Sequence, residues 1–221
     1  MTAPGVARDV LVTGGTGYMG RALVPRLAAR GHRVRVLARA SSASRVSSGA
    51  ACVLGDALDP ASVASALRPG DTVVHLVGTP HPNPRKAAEF ERVDLASIRA
   101  TTTAAQRAGA AHLVYVSVAQ PAPVMHAYVA ARAAGEAAIA AAGLCATILR
   151  PWYVLGPGHW WPVMLLPLYG VATLLPKWRD GARRLGLVTR GQMVRALVAA
   201  VERPPARGIR VVDVPGIRRG N

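Results

Sequence analysis

The sequence predicts an α/β fold, a Rossmann-like doubly wound parallel sheet with a short C-terminal covering segment. Three observations predict it. Short, β-branched apolar runs alternate with longer Ala-rich stretches, the pattern of strand–helix–strand units. The first of these runs leads straight into a cluster of glycines and then into a helical pattern. The chain has 221 residues, 51% of them hydrophobic, with two cysteines. A chain of that size buries on the order of 70% of its unfolded surface without help from disulfides or metal.

The elements follow in order. Strands are expected at Val10 to Thr13, Arg33 to Ala38, Ala51 to Leu54, Thr72 to Leu76, His112 to Ser117, Ala146 to Leu149 and Arg210 to Asp213. The first helix runs from about Tyr18 to Ala29 and stops at Gly31, a residue suited to the left-handed cap position. Pro25 inside it either kinks the helix or sits where its missing donor costs little. A second helix opens at Asp59-Pro60, a capping carboxylate followed by a residue preset for the first helical position. Longer helices are expected at Lys86 to Ala108, Ala127 to Ala142 and Arg190 to Glu202. No repeat is present, and one domain over residues 1–221 is expected, with residues 157–187 as a small apolar cap.

Composition narrows the partners. The net charge is +16, from 27 basic and 11 acidic residues, and only Lys86 and Lys177 are lysine. The arginines are scattered, with Arg183-Arg184 and Arg218-Arg219 the only adjacent pairs, so the stripe that a phosphate backbone requires is missing and nucleic acid is not the expected partner. Met1 to Asp9 lacks the apolar core of a secretory leader, and no uninterrupted apolar run is long enough to span a bilayer, which leads to a cytoplasmic expectation. The Trp- and Leu-rich stretch from Pro157 to Pro176 is broken by Pro162 and Pro167 and carries no basic polar face. A cap or an oligomer contact therefore fits it better than a membrane surface. Cys52 and Cys145 lie in apolar runs and read as buried thiols, and the six histidines show no metal-ligand spacing. The chain is expected as a monomer or a homodimer, because the Ala-rich helices suit packing either within one subunit or between two.

Val10 to Gly20 carries the strongest motif. Gly15, Gly17 and Gly20 match G-x-G-x-x-G, and Gly14, Gly17 and Gly20 match the G-x-x-G-x-x-G variant. A strand, such a turn and a helix N-terminus form a cradle for pyrophosphate, with the first glycine turning the chain and the last letting helix and sheet pack closely. Gly14, Gly15, Thr16, Gly17, Tyr18, Met19 and Gly20 are therefore candidate dinucleotide contacts. At the end of the second strand, where an NAD site places an acidic residue on the ribose, no Asp or Glu occurs between Asp9 and Asp56. Arg39 stands there instead, followed by Ser41, Ser42 and Arg45. A guanidinium matches a 2′-phosphate, so NADP(H) is the expected cofactor, with NAD(H) the alternative. Asp56, followed by Ala57, either accepts from the adenine amino group or closes a turn. Val77, Gly78 and Thr79, after the fourth strand, are candidates near ribose and nicotinamide.

These residues, with Leu113 to Ser117, Tyr128 and Ile148 to Pro151, resemble the atypical short-chain dehydrogenase/reductases. That group is NmrA-like and similar to NAD(P)-dependent epimerases and dehydratases, and it includes the NADPH-binding accessory subunit of respiratory complex I. The resemblance covers nearly the whole chain and implies the strand order 3-2-1-4-5-6-7. It also implies catalysis by Tyr-x-x-x-Lys, whose nearest match here is Tyr128-Val-Ala-Ala-Arg132. Arg132 supplies positive charge one helical turn from Tyr128 but cannot relay a proton. Ser117 aligns with the first Ser after the fifth strand, while the family's catalytic position falls on Ala119. The catalytic candidates are thus Tyr128, Arg132 and Ser117, with structural alternatives for Tyr128 as a half-buried helical aromatic and for Ser117 as a strand-end cap. By the same resemblance Pro151, Trp152 and Val154 lie at the nicotinamide, and Trp160, Trp161 and Tyr169 wall an apolar pocket in a substrate-covering segment. The activity implied is an NADPH-dependent oxidoreductase acting on a small apolar carbonyl or enone substrate. The alternative is a non-catalytic NADP(H)-binding sensor or assembly protein.

Overall fold

The computed structural model describes residues 6–157, 164, 181 and 184–220. Its main sheet has seven parallel strands in the order β3-β2-β1-β4-β5-β6-β9. These are β1 (Asp9–Thr13), β2 (Arg33–Ala38), β3 (Ala50–Leu54), β4 (Thr72–His75), β5 (His112–Val116), β6 (Ala146–Leu149) and β9 (Ile209–Val212). The order matches the expected one, with β9 as the seventh strand, and the fold is Rossmann-like. It reverses direction between β1 and β4, which opens a crevice at the carboxyl ends of those two strands.

Helices cover both faces. On β1 the alternation that period-2 geometry demands sends Val10 and Val12 into one core and Leu11 into the other. The first core is closed by Leu23 and Leu27 of α1 (Gly20–Ala29), Met193 and Leu197 of α6 (Arg190–Glu202), and Ile217 of α7 (Val214–Arg219). The second is closed by Val63 of α2 (Pro60–Ala66), Ile98 of α4 (Ala96–Arg107) and Ile139 of α5 (His126–Ala141). Asp59 caps α2 as expected, accepting from the amides of Ala61 and Ser62. Helix α1 runs through Pro25, which lies on its exposed face.

Three features depart from expectation. The helix foreseen from Lys86 to Ala108 is divided into a 3₁₀ turn at Pro84–Lys86, the short α3 (Ala87–Glu89), a π-helical stretch at Phe90–Leu95, and α4. A second, two-stranded parallel sheet pairs β7 (Tyr153–Leu155) with β8 (Leu187–Thr189). Cys52 is exposed rather than buried, because β3 is the edge strand and its outer face is uncovered; Cys145 is half-buried and its thiol donates to the Pro205 carbonyl. Most of the cap foreseen at 157–187, with Trp160, Trp161 and Tyr169, lies outside the described residues. No helix among the described residues is long and apolar enough to cross a membrane.

Candidate cofactor site and active site

The glycine loop fits a dinucleotide for reasons visible atom by atom. Gly14 has φ +74°, and a Cβ there would lie 2.7 Å from the Leu76 carbonyl carbon, so both its conformation and its space demand glycine. A Cβ on Gly20 would lie 2.4 Å from the backbone of Gly15, which is the close helix–sheet approach that the spacing predicts. The Gly17 amide donates to the Gly14 carbonyl at 3.0 Å and closes the turn. Among the described residues no carbonyl accepts from the amides of Thr16 and Met19, which stand at the N-terminus of α1 where a pyrophosphate oxygen would accept. Tyr18 ties the loop to β7: its hydroxyl fills the space where a Gly156 side chain would stand, and Arg190 lies over its ring at 5.2 Å.

Arg39 is exposed directly after β2 and precedes a 3₁₀ turn at Ala40–Arg45. Ser42 is engaged locally, its amide and hydroxyl both donating to the Arg39 carbonyl. Asp56 is half-buried and accepts from the Leu58 amide at 3.0 Å, the turn-closing geometry, which leaves its second oxygen uncommitted in the bonds described. Ala57 is half-buried beside it and packs on the second core. Val77 is half-buried two residues beyond β4, next to the glycine loop.

The β5 and β6 side of the crevice is built differently. Tyr128 and Arg132 come together on α5, with the guanidinium 5.2 Å from the Tyr128 ring centroid. Tyr128 is half-buried and edge-on to Phe90, and its hydroxyl has no hydrogen-bond partner among the described residues. Arg132 is buried, and its Nη2 donates to Asp94 at 2.6 Å while Nη1 donates to the Val116 carbonyl at 2.9 Å. Burial works against its charge, but Tyr128, Tyr115 and the Asp94 carboxylate together raise its pKa, so it stays protonated. Ser117 is buried and does not join the pair. Its hydroxyl donates to Glu136 at 2.5 Å, a carboxylate that also accepts from Gln120 and from both Nε and Nη2 of Arg150.

Pro151 is buried, with its carbonyl accepting from the Ala119 amide at 2.8 Å, and Trp152 packs half-buried on the first core. Val154 lies in β7 opposite Val188. Two side chains that hold the candidate residues, Asp94 and Glu136, were not foreseen. Glu136 stands one turn beyond Arg132 on α5, so the i, i+4, i+8 spacing of Tyr128, Arg132 and Glu136 was the available signal.

The NAD(P)H-binding family model matches residues 14–156, from the first glycine of the loop to Gly156 beneath the Tyr18 hydroxyl. The chain belongs to the NAD(P)H-binding family. Its relatives include reductases. It is 31% identical to a ceramide reductase of Caulobacter vibrioides over 95% of this chain, which spans 65% of that protein's length. It is 32% identical to a 3-diazoavenalumate denitrifying reductase of a Streptomyces species over 92% of this chain and 75% of that protein. In fold it is similar to MoeE5 in complex with UDP-glucuronic acid and NAD, with TM-score 0.71 and 24% identity over 93% of this chain and 76% of that one. It is also similar to the Thermus thermophilus UDP-glucose 4-epimerase in complex with NAD, with TM-score 0.66 and 22% identity over 96% of this chain and 81% of that one.

Proposed function

We propose that the protein is an NADPH-dependent reductase acting on a small, largely apolar carbonyl or enone compound. The observation that carries this reading is the glycine loop at the sheet's reversal point, followed at the end of β2 by Arg39 with no carboxylate beside it. The loop amides hold the pyrophosphate, and Arg39 takes the 2′-phosphate in a forked hydrogen bond. Val77, Gly78, Thr79, Pro151, Trp152 and Val154 border the nicotinamide half, and Asp56 faces the adenine. When bound, the reduced nicotinamide supplies the hydride. Tyr128, whose hydroxyl is uncommitted among the described residues, donates the proton to the carbonyl oxygen, or to the α-carbon of an enone, as the hydride adds to the electrophilic carbon. The reductases among the relatives support the reaction type. The working unit is one domain, monomeric or homodimeric, in the cytoplasm.

Calorimetric titration with NADPH and then NADH at one fixed ionic strength tests the cofactor reading. NADPH is expected to bind at least about tenfold tighter, roughly 1.4 kcal/mol; equal affinities would remove the role given to Arg39. A second reading, a non-catalytic NADP(H)-binding sensor, is favoured by one observation: Arg132 and Ser117 are both engaged by carboxylates. Tyr128→Phe separates the two, abolishing turnover of a screened carbonyl or enone in the enzyme and changing nothing in the sensor.

A further inference from the structure

We propose that Asp94 is a positioning residue of the nucleotide site, forming with Arg132 a strut that fixes the Gly78–Thr79 segment after β4 beside the nicotinamide half of the cofactor. This rests on the cofactor reading above and assigns Arg132 to the strut rather than to a proton relay.

The geometry is specific. Asp94 is fully buried and accepts three hydrogen bonds, from the Thr79 amide at 2.9 Å, the Thr79 hydroxyl at 2.6 Å and Arg132 Nη2 at 2.6 Å. Arg132 passes the connection on to the Val116 carbonyl at the end of β5. One ion pair therefore ties together the segment after β4, the end of β5, helix α5 and the π-helical stretch. The pair also dictates the residue at 78. A Cβ on Gly78 would stand 2.3 Å from Arg132 Nη2 and 3.3 Å from Asp94 Oδ1, so the guanidinium occupies the place of a side chain.

The local backbone serves the same contact. Among the described residues Phe90–Leu95 is the only π-helical stretch, and it carries Asp94 between the buried Phe90 and Leu95. Such wide turns interrupt a regular helix at a cost and recur at functional positions. A buried ion pair is likewise a poor way to gain stability alone, since apolar residues of the same volume serve as well or better. What the pair supplies is a fixed position for the Gly78–Thr79 segment. That segment follows Val77, whose amide nitrogen would lie 2.9 Å from a Cβ on Gly14, so the glycine loop and the strutted segment are neighbours. Both terminal nitrogens of the guanidinium are committed to this task, and the group cannot shuttle protons, which separates it from the lysine that the Tyr-x-x-x-Lys pattern expects.

The test divides the cofactor into halves. Purified full-length chains are titrated with NADPH and with 2′,5′-ADP, which lacks the nicotinamide riboside. Asp94→Ala strands a buried cation and is avoided here. The neutral pair Asp94→Asn with Arg132→Met, and the milder Thr79→Val, keep the fold by removing the charges together or by leaving the ion pair intact. NADPH affinity is expected to fall about tenfold or more in the double variant and about threefold in Thr79→Val, with 2′,5′-ADP affinity unchanged within about twofold in both. Unchanged NADPH affinity in the double variant overturns the proposal, and so does a parallel loss of both ligands, which marks a general structural defect. If the unaltered chain binds neither ligand, the cofactor reading itself fails, and the strut's proposed purpose fails with it.

Discussion

The two sides of the crevice are made of different materials. On the β1 and β2 side the site is backbone: glycines 14 and 20 leave space where side chains would collide, and the amides of Thr16 and Met19 have no carbonyl acceptor among the described residues. On the β5 and β6 side it is side chain, and the polar groups turn inward onto carboxylates: Arg132 onto Asp94, Ser117 and Arg150 onto Glu136. A ligand can satisfy the first kind of site without displacing anything. In the second kind Asp94, Ser117, Glu136 and Arg150 are already held by neighbouring side chains and should matter more for stability than for direct contact, whereas the Tyr128 hydroxyl has no partner among the described residues and stays available to a ligand.

Removing Asp94 should break the side-chain half hardest. Asp94→Ala leaves the Arg132 guanidinium buried without its counter-charge, and a loss of about 3–5 kcal/mol is expected in urea unfolding. A loss under about 1 kcal/mol would mean that water or a rearranged side chain replaces the carboxylate, and the strut would not be rigid. The backbone half should respond differently. Gly20→Ala places a methyl group 2.4 Å from Gly15 backbone atoms that cannot rotate away, and about 2–3 kcal/mol of overpacking cost is expected. The larger change should be in binding, with NADPH affinity falling at least about 100-fold as the loop is pushed out of register.

Between the two sides lies His75, fully buried on β4 with Thr13 and Thr101 hydroxyls on its Nδ1 at 2.9 and 3.1 Å. Burial, aided by the positive charge of Arg132, holds its pKa down to about 3. The unfolded chain takes up that proton near pH 6.5, so between those values it binds more protons than the folded chain. Stability contributed by neutral His75 is therefore complete above pH 6.5 and falls by up to about 1.4 kcal/mol per pH unit toward pH 3. His112, held down to about 4 by burial, adds a parallel loss in the same window. His75→Asn should flatten the pH dependence of the unfolding midpoint between pH 6 and 4.5, leaving the contributions of His112 and of His32, whose pKa burial also lowers. An unchanged slope would remove His75 from the acid sensitivity and leave it to the other buried histidines and the carboxylates.

The backbone half was legible in the sequence because its information is local. Val10 to Gly20 is one strand, one turn and one helix start, and each glycine has a cause within that segment or at the strand beside it. The side-chain half was not, because its contacts join distant residues. Asp94 and Arg132 are 38 positions apart, and Ser117 and Glu136 are 19 apart. Helical periodicity across 86–108 foresaw one continuous helix and could not register the wider π turn that brings Asp94 inward. Cys52 shows the same limit in another form, since an apolar run reads alike on a central strand and on the edge that β3 occupies.

Arg39 sharpens the backbone half at smaller scale. It is exposed and stands where the ribose-recognising acid of an NAD site would be. Arg39→Asp is expected to weaken NADPH relative to NADH by about tenfold or more, roughly 1.4 kcal/mol, measured by competitive titration at fixed salt. If both cofactors weaken equally, the residue acts only through the general positive field of a chain with net charge +16.

Ser117 makes the finest cut, since the family resemblance nominates it for catalysis while the structure turns its proton toward Glu136. A hydroxyl that donates to a carboxylate has no second proton for a substrate oxygen, so Ser117 can only accept from a ligand. Ser117→Ala should cost about 1–1.5 kcal/mol of stability through the lost hydrogen bond, with Glu136 still held by Gln120 and Arg150. NADPH affinity should not change, and turnover of any substrate found by screening should fall by no more than a few-fold. A loss of turnover of 100-fold or more, about 2.7 kcal/mol in the transition state, would require the Ser117–Glu136 bond to open during the reaction. The side-chain half would then be a switchable site rather than a closed one.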